Sequence, residues 1–221
     1  MTGWGPIDAV IFDLDGVLID SETVWADVRR EFALAHGGRW SPDTQRKMMG
    51  MSSQEWTTFM HEELGVSIEP EEIAAAVVHE MERRYRERLP LLPGSVDAVR
   101  RLADRWPLGL ASSANRRLID FVLREAGLAA SFRATLSTEE VARGKPAPDV
   151  YLEVARHLGV APEHCVGVED STNGLRALMA AGMHSVAVPN RDFPPDPDVV
   201  SSANVVISNL DELTPELVDG L

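Results

Sequence analysis

The sequence predicts an α/β fold: a mainly parallel sheet with helices on both faces, interrupted once by an all-helical block. Three observations carry this. The run Ala9-Val10-Ile11-Phe12 is short, apolar and followed by acids and Gly16, as a buried strand is. From Leu92-Pro93-Gly94 onward, short apolar runs alternate with amphipathic helices, a pattern that builds parallel sheets covered on both faces. Between Ile19 and Leu89 no strand pattern occurs, and three helical patterns follow one another.

After the first strand, apolar spacings of three and four mark helices over 21–35, 52–64 and 70–89. Ser52 and Glu55 have capping-box spacing, and Pro70 sits at a first helical turn among acids. The core then resumes with helix 95–105, strand 108–112, helix 116–126 and a short strand at 134–137. Helix 148–158, strand 165–168, helix 173–181, strands 185–188 and 205–207, and helix 215–218 complete it. The Pro-rich "NRDFPPDPD" reads as a loop before the last strand. The expected division is a core of 1–17 and 90–221 with a helical insertion at 18–89.

A chain of 221 residues accommodates one large domain, or one domain with an insertion. Its net charge of −14 argues against nucleic-acid and anionic-membrane partners. An anionic substrate therefore needs local positive charge. The first residues show no leader pattern, and no apolar stretch reaches spanning length. Cys165 is the one cysteine, expected buried and inert in "CVGV". The expectation is a cytoplasmic monomer.

Ligands bind outside the carboxyl ends of strands in open α/β sheets, and polar groups cluster at such ends here. Asp13 and Asp15 follow the first strand; alternation puts both on one side, where one cation can join them or where they simply cap a turn. A calcium loop also begins D-x-D, but a helix does not precede this one and Val24 stands where that loop needs glutamate. Glu169 and Asp170 end another apolar run and suit either a Mg2+ site of oxygen ligands or a helix N-terminus. Lys145 is one of two lysines among 21 basic residues, so a compact point charge is favoured there over arginine. "GKPAPD" is no P-loop, because Glu139 stands where its first glycine belongs. Ser112, Ser113 and Asn115 offer hydroxyls and a helix N-terminus to an anion, and serve equally as a plain helix cap. Acids for a metal, one lysine, hydroxyls and helix dipoles together suit phosphate-monoester chemistry, which is mostly positioning and electrostatics.

"DLDGVLIDS", "ASSAN", "GKPAPD" and "VEDSTNG", in this order, resemble the four motifs of the haloacid dehalogenase-like hydrolase superfamily. The likeness is to its phosphatase and β-phosphoglucomutase-like branch. It implies a Rossmann-like three-layer core, with 18–89 as a mobile helical cap. It also implies Asp13 as the nucleophile forming an aspartyl-phosphate and Asp15 as general acid, then base. Mg2+ would be held by Asp13, the Asp15 backbone carbonyl and Asp170, with Glu169 a ligand or just behind one. Ser112 and Lys145 would bind the transferring phosphoryl group, with Asn115 and Asn173 supporting; Ser113 is expected beside them as a phosphate-binding hydroxyl. The implied partner is a small phosphorylated metabolite.

Asp15 argues against the dehalogenases and the phosphonate-cleaving members, which lack an acid there, although Lys47 lies in the cap. The β-phosphoglucomutases usually carry a histidine after the first motif and a cap-loop arginine for a second phosphate. Trp25 and Ser53 stand at those places, which favours a phosphatase over a mutase. Arg83 and Arg84 in the last cap helix are the counterargument, or else a solvated helix face. Trp25, Met48, Met49 and Met51 supply either an apolar wall beside the substrate or ordinary core. A phospho-accepting signalling domain is the non-enzymatic alternative; the motif order and the large insertion speak against it.

Overall fold

The computed structural model describes residues 6–48, 51–190 and 193–221. Six strands form one fully parallel sheet: β1 Ala9–Phe12, β2 Leu108–Ser112, β3 Phe132–Ser137, β4 Cys165–Glu169, β5 His184–Ala187 and β6 Val205–Val206. Their spatial order is β3-β2-β1-β4-β5-β6. The chain leaves β1 toward β2 on one side and later returns to β4 on the other. That reversal opens a crevice at the carboxyl ends of β1 and β4.

Alternation along β1 divides the core. Val10 and Phe12 join the cluster on one face, and Ala9 and Ile11 the cluster on the other. All four are fully buried, and sealing side chains of Val or Phe size contributes about 2 kcal/mol each. The Ile11 face is covered by α7 (Asp149–Leu158) and α8 (Thr172–Ala181) through Tyr151, Val154 and Leu178. The Phe12 face is covered by α5 (Ser95–Ala103) and α6 (Arg116–Glu125) through Val99, Leu102 and Leu118. Both faces carry helices, as strand-helix alternation predicts. Two short helices, α9 Pro197–Val200 and α10 Pro215–Asp219, flank β6.

Between β1 and α5 run α1 Glu22–Ala35, α2 Thr44–Met48, α3 Ser53–Glu62 and α4 Pro70–Glu87. The Ser52–Glu55 capping box forms with both reciprocal bonds, and Pro70 occupies the first turn of α4. Ser21 stands at the N-cap of α1, yet its hydroxyl does not cap the helix. Apolar packing passes without a break from Leu14, Leu18 and Ile19 into Trp25, Trp56, Met60 and Met81 of this helical block. The chain's passages into and out of the block lie side by side: Asp20 N donates to Pro90 O (2.8 Å), Leu92 N donates to Leu18 O (3.0 Å), and Ile19 bridges Leu91.

Two corrections concern short elements. The stretch read as the loop "NRDFPPDPD" runs into α9, because Asp196 caps Asp198 N and Pro197 presets the first turn. Helix α2 is too short to show a period and carries no sequence expectation. Cys165 is buried as expected, and burial pushes its thiol up to about 12. No helix of the described residues is long and apolar enough to cross a membrane.

Candidate active site

Where β1 ends, Asp13 N donates to Val168 O (3.0 Å), which ties the first acid to the end of β4. The chain then turns sharply, with Gly16 N donating to Ile19 O (2.8 Å). Gly16 has φ 79° and a Cβ there would stand 1.9 Å from Asp170 Oδ2, so the turn needs glycine for backbone and for space alike. Beyond the neighbouring strand β4, Gly174 in the first turn of α8 leaves room for Glu169: a Cβ there would lie 1.7 Å from Glu169 Oε1.

Lys145 organises this ground. Its Nζ donates to Asp13 Oδ1 (2.7 Å), Glu169 Oε1 (2.6 Å) and Ala111 O (3.1 Å). Glu169 accepts on Oε1 from Lys145 and Tyr151, and on Oε2 from Asp170 N, Ser171 N and Ser171 Oγ. Both of its oxygens thus already accept hydrogen bonds. Burial works against the Glu169 carboxylate, but the Lys145 charge and the donated hydrogen bonds outweigh it and hold its pKa below the usual range.

Asp13 and Asp170 have no such surplus of donors. Burial pushes the Asp13 carboxyl up to about 8, against the pull of Lys145. Burial, and then the charges of Glu169 and Asp13, drive Asp170 well above its ordinary value. Oxygens of Asp13, Glu169 and Asp170 all lie within 4.8 Å of one another. Three buried carboxylates facing one lysine are an arrangement that a hard divalent cation would relieve, and an oxygen-only donor set suits Mg2+. The residues fit the ion.

Asp15 stands apart from that cluster. Its Oδ1 accepts from Ser21 Oγ (2.5 Å) and Trp25 Nε1 (3.3 Å), and its Oδ2 from Ser112 Oγ (3.4 Å). Burial raises its pKa, while the Ser21 and Trp25 hydrogen bonds oppose the rise. A carboxyl held this way is suited to carrying a proton.

These groups open onto a cavity of about 480 Å³ between the strand ends and the helical block. Asp13, Asp15, Lys145 and Asp170 line it, as do Ser113, Asn115 and Asn173. Trp25, Met48, Met51 and Ser53 form part of its far wall; Met49 lies outside the described residues. Ser112 is fully buried off this wall, its hydroxyl accepting from Ala114 N and donating to Asp15. Asn115 does double duty, capping α6 through Arg117 N and donating to Glu139. Arg83 and Arg84 do not line the cavity and pair with Glu80, Glu87 and Glu31, the solvated-face alternative. Lys47 is exposed and does not line it either.

Sequence reasoning missed Glu22, Arg29, Arg46, Trp56 and the loop residues Phe193, Pro194 and Pro195, all on the cavity wall. The one available signal was position: "FPP" follows the carboxyl end of a strand, where ligands bind.

The chain is similar over its whole fold to characterised proteins. It is 37% identical over 212 residues to hexitol phosphatase B of Escherichia coli O157:H7, covering 93% of this chain and 94% of that one. It is 33% identical to the phosphorylated carbohydrates phosphatase of Thermotoga maritima over 81% of this chain and 84% of that protein. Among solved structures, β-phosphoglucomutase from Clostridium difficile superposes with a TM-score of 0.83 at 26% identity, covering 97% and 96% of the two chains. The family model for haloacid dehalogenase-like hydrolases matches residues 7–182, so the chain belongs to the haloacid dehalogenase-like hydrolase family.

Proposed function

We propose that this hydrolase is a Mg2+-dependent phosphatase that cleaves a small sugar or polyol phosphate through a phosphorylated Asp13. The observation that carries the reading is the pair of carboxyl groups on one cavity wall. Asp13 is braced by Lys145 through one oxygen, and Asp15 is held by Ser21 and Trp25. The phosphatase relatives support the same class of substrate.

In the first half-reaction the unbonded oxygen of Asp13 attacks phosphorus. The ester P–O bond breaks as Asp15 delivers a proton to the departing oxygen. Lys145, Ser113 and the backbone at the start of α6 meet the phosphoryl oxygens. Asp15, now ionised, takes a proton from water as that water attacks phosphorus; inorganic phosphate leaves and Asp13 is restored. Asp13, Asp170 and the Asp15 carbonyl would hold Mg2+, which when bound offsets carboxylate–phosphate repulsion of about 4 kcal/mol per charge pair about 4 Å apart. Glu169 positions Lys145. The block 18–89 acts as a lid over the site, hinged where 18–20 and 90–92 run together, and excludes water. The cytoplasm suits the single buried thiol, and a monomer has all the groups that the reaction needs.

The mutase alternative rests on the likeness to β-phosphoglucomutase. Against it, Trp25 donates a hydrogen bond to Asp15 and cannot accept a proton, and Ser53 lines the cavity where a phosphate-gripping arginine is expected. The test is a phosphate-release screen over phosphorylated metabolites with Mg2+, run beside conversion of β-glucose 1-phosphate to glucose 6-phosphate. Phosphate release with no isomerised product supports the phosphatase; efficient isomerisation supports the mutase.

A further inference from the structure

The cavity wall opposite the strand ends holds a cation that phosphoryl transfer does not use. Arg29, on α1, is 6% exposed and lines the cavity. Its guanidinium carbon lies 4.3 Å from the centroid of the Trp25 ring and 4.8 Å from that of Trp56. The two indole centroids are 6.0 Å apart and the rings are tilted by 60°, so the guanidinium packs against both rings in the corner that they form. Among the described residues the Arg29 side chain makes no ion pair and no hydrogen bond, and its buried Nε is without a partner. Aromatic faces stabilise the charge but accept none of its in-plane hydrogen bonds. Burial lowers its pKa to about 10, against the opposing charges of Glu22 and Asp15.

Glu22, two turns earlier on the same helix, lines the same cavity. Gln45 Nε2 donates to its Oε2 (2.9 Å), while its Oε1 accepts nothing among the described residues. Glu22 and Arg29 therefore present an acceptor and a set of donors to one space without meeting each other. A hydroxyl suits that space, since it donates to the carboxylate and accepts from the guanidinium. A second phosphate or a carboxylate would satisfy Arg29 but face Glu22. The Trp25 indole donates to Asp15 and packs against Arg29, so Arg29 stands one side chain away from the carboxyl that would protonate the leaving alcohol.

We infer that Glu22 and Arg29 are the specificity-determining pair of this site, gripping hydroxyls on the carbon chain of a phosphorylated polyol. The inference rests on the phosphatase reading and adds the residues that select the substrate.

The test compares full-length wild type, Arg29→Met, Arg29→Lys and Glu22→Gln, with Mg2+, on glucitol 6-phosphate and on p-nitrophenyl phosphate, which has no such hydroxyls. For glucitol 6-phosphate, Arg29→Met is expected to raise KM roughly tenfold to hundredfold with kcat little changed, and Glu22→Gln to do so less. Both should leave p-nitrophenyl phosphate turnover within about threefold, and Arg29→Lys should lie between wild type and Arg29→Met. Equal losses on both esters, or no loss on either, overturn the inference. So does a wild type that hydrolyses other phosphates but no polyol phosphate, while the phosphatase reading stands. So does a selective loss on hexose 1,6-bisphosphate, which would make Arg29 a phosphate grip. If wild type releases no phosphate from anything, the phosphatase reading fails. Calorimetric titration of glucitol 6-phosphate then decides: weaker binding to a folded Arg29→Met or Arg29→Lys supports the clamp, and equal or absent binding overturns it.

Discussion

Lys145 Nζ and Glu169 Oε1 lie 2.6 Å apart, both groups buried, with both Glu169 oxygens also accepting hydrogen bonds from Tyr151, Ser171 and the Asp170 backbone. Glu169→Ala should strip Lys145 of one of its two anionic partners and leave Tyr151 OH without its acceptor. Removing one partner of a buried pair costs about 3–5 kcal/mol, read by denaturant unfolding. Turnover should fall steeply while the Mg2+ concentration for half-activation moves only a few-fold. A large shift in that concentration would make Glu169 a direct ligand.

Ser21→Ala tests the acid. Ser21 Oγ donates to Asp15 Oδ1 and so favours the ionised carboxyl, which burial disfavours. Without that donor the Asp15 pKa rises further, and a general acid stays protonated to higher pH. The alkaline limb of kcat/KM on a poor leaving group should therefore move up in pH. A shift downward, or none, would remove Asp15 from that limb.

Gly16→Ala tests the close approach of the turn to Asp170. A left-handed backbone costs a residue with a Cβ about 1–2 kcal/mol, and the new atom would overlap Asp170 Oδ2. The variant should melt lower and need more Mg2+ for half-activation. Wild-type Mg2+ dependence would show that Asp170 is not a ligand.

Glu82 of α4 is buried and pairs with Arg117 of α6, Nε to Oε1 at 2.5 Å, joining the helical block to the sheet's helices. Arg117→Ala should speed amide hydrogen exchange in the last turns of α4 and leave β1 protected. Unchanged exchange in α4 would mean that this contact does not govern lid opening.

How much was legible before the coordinates follows from what a period encodes. Strand ends were legible because Ala9–Phe12 and Cys165–Glu169 are short and buried on both faces, so their flanking acids had one place to go. Helical periods show which face of α1 is buried, not what it is buried against; nothing in the sequence singles out Arg29, which packs against two indoles. Ser112 was legible as a strand-end hydroxyl, but its turn inward to Ala114 and Asp15 depends on the following backbone. Phe193 to Pro195 belong to a loop without a period, and only the fold brings them to the cavity.

The central claim is that Asp13 carries the phosphoryl group. Its most direct test is acid quenching of the Mg2+-loaded enzyme during turnover of a phosphate ester, with the modified residue mapped by peptide mass spectrometry. The account predicts phosphorylation at Asp13, absent in Asp13→Asn. A phosphoryl group on any other residue, or the same adduct in Asp13→Asn, would contradict it.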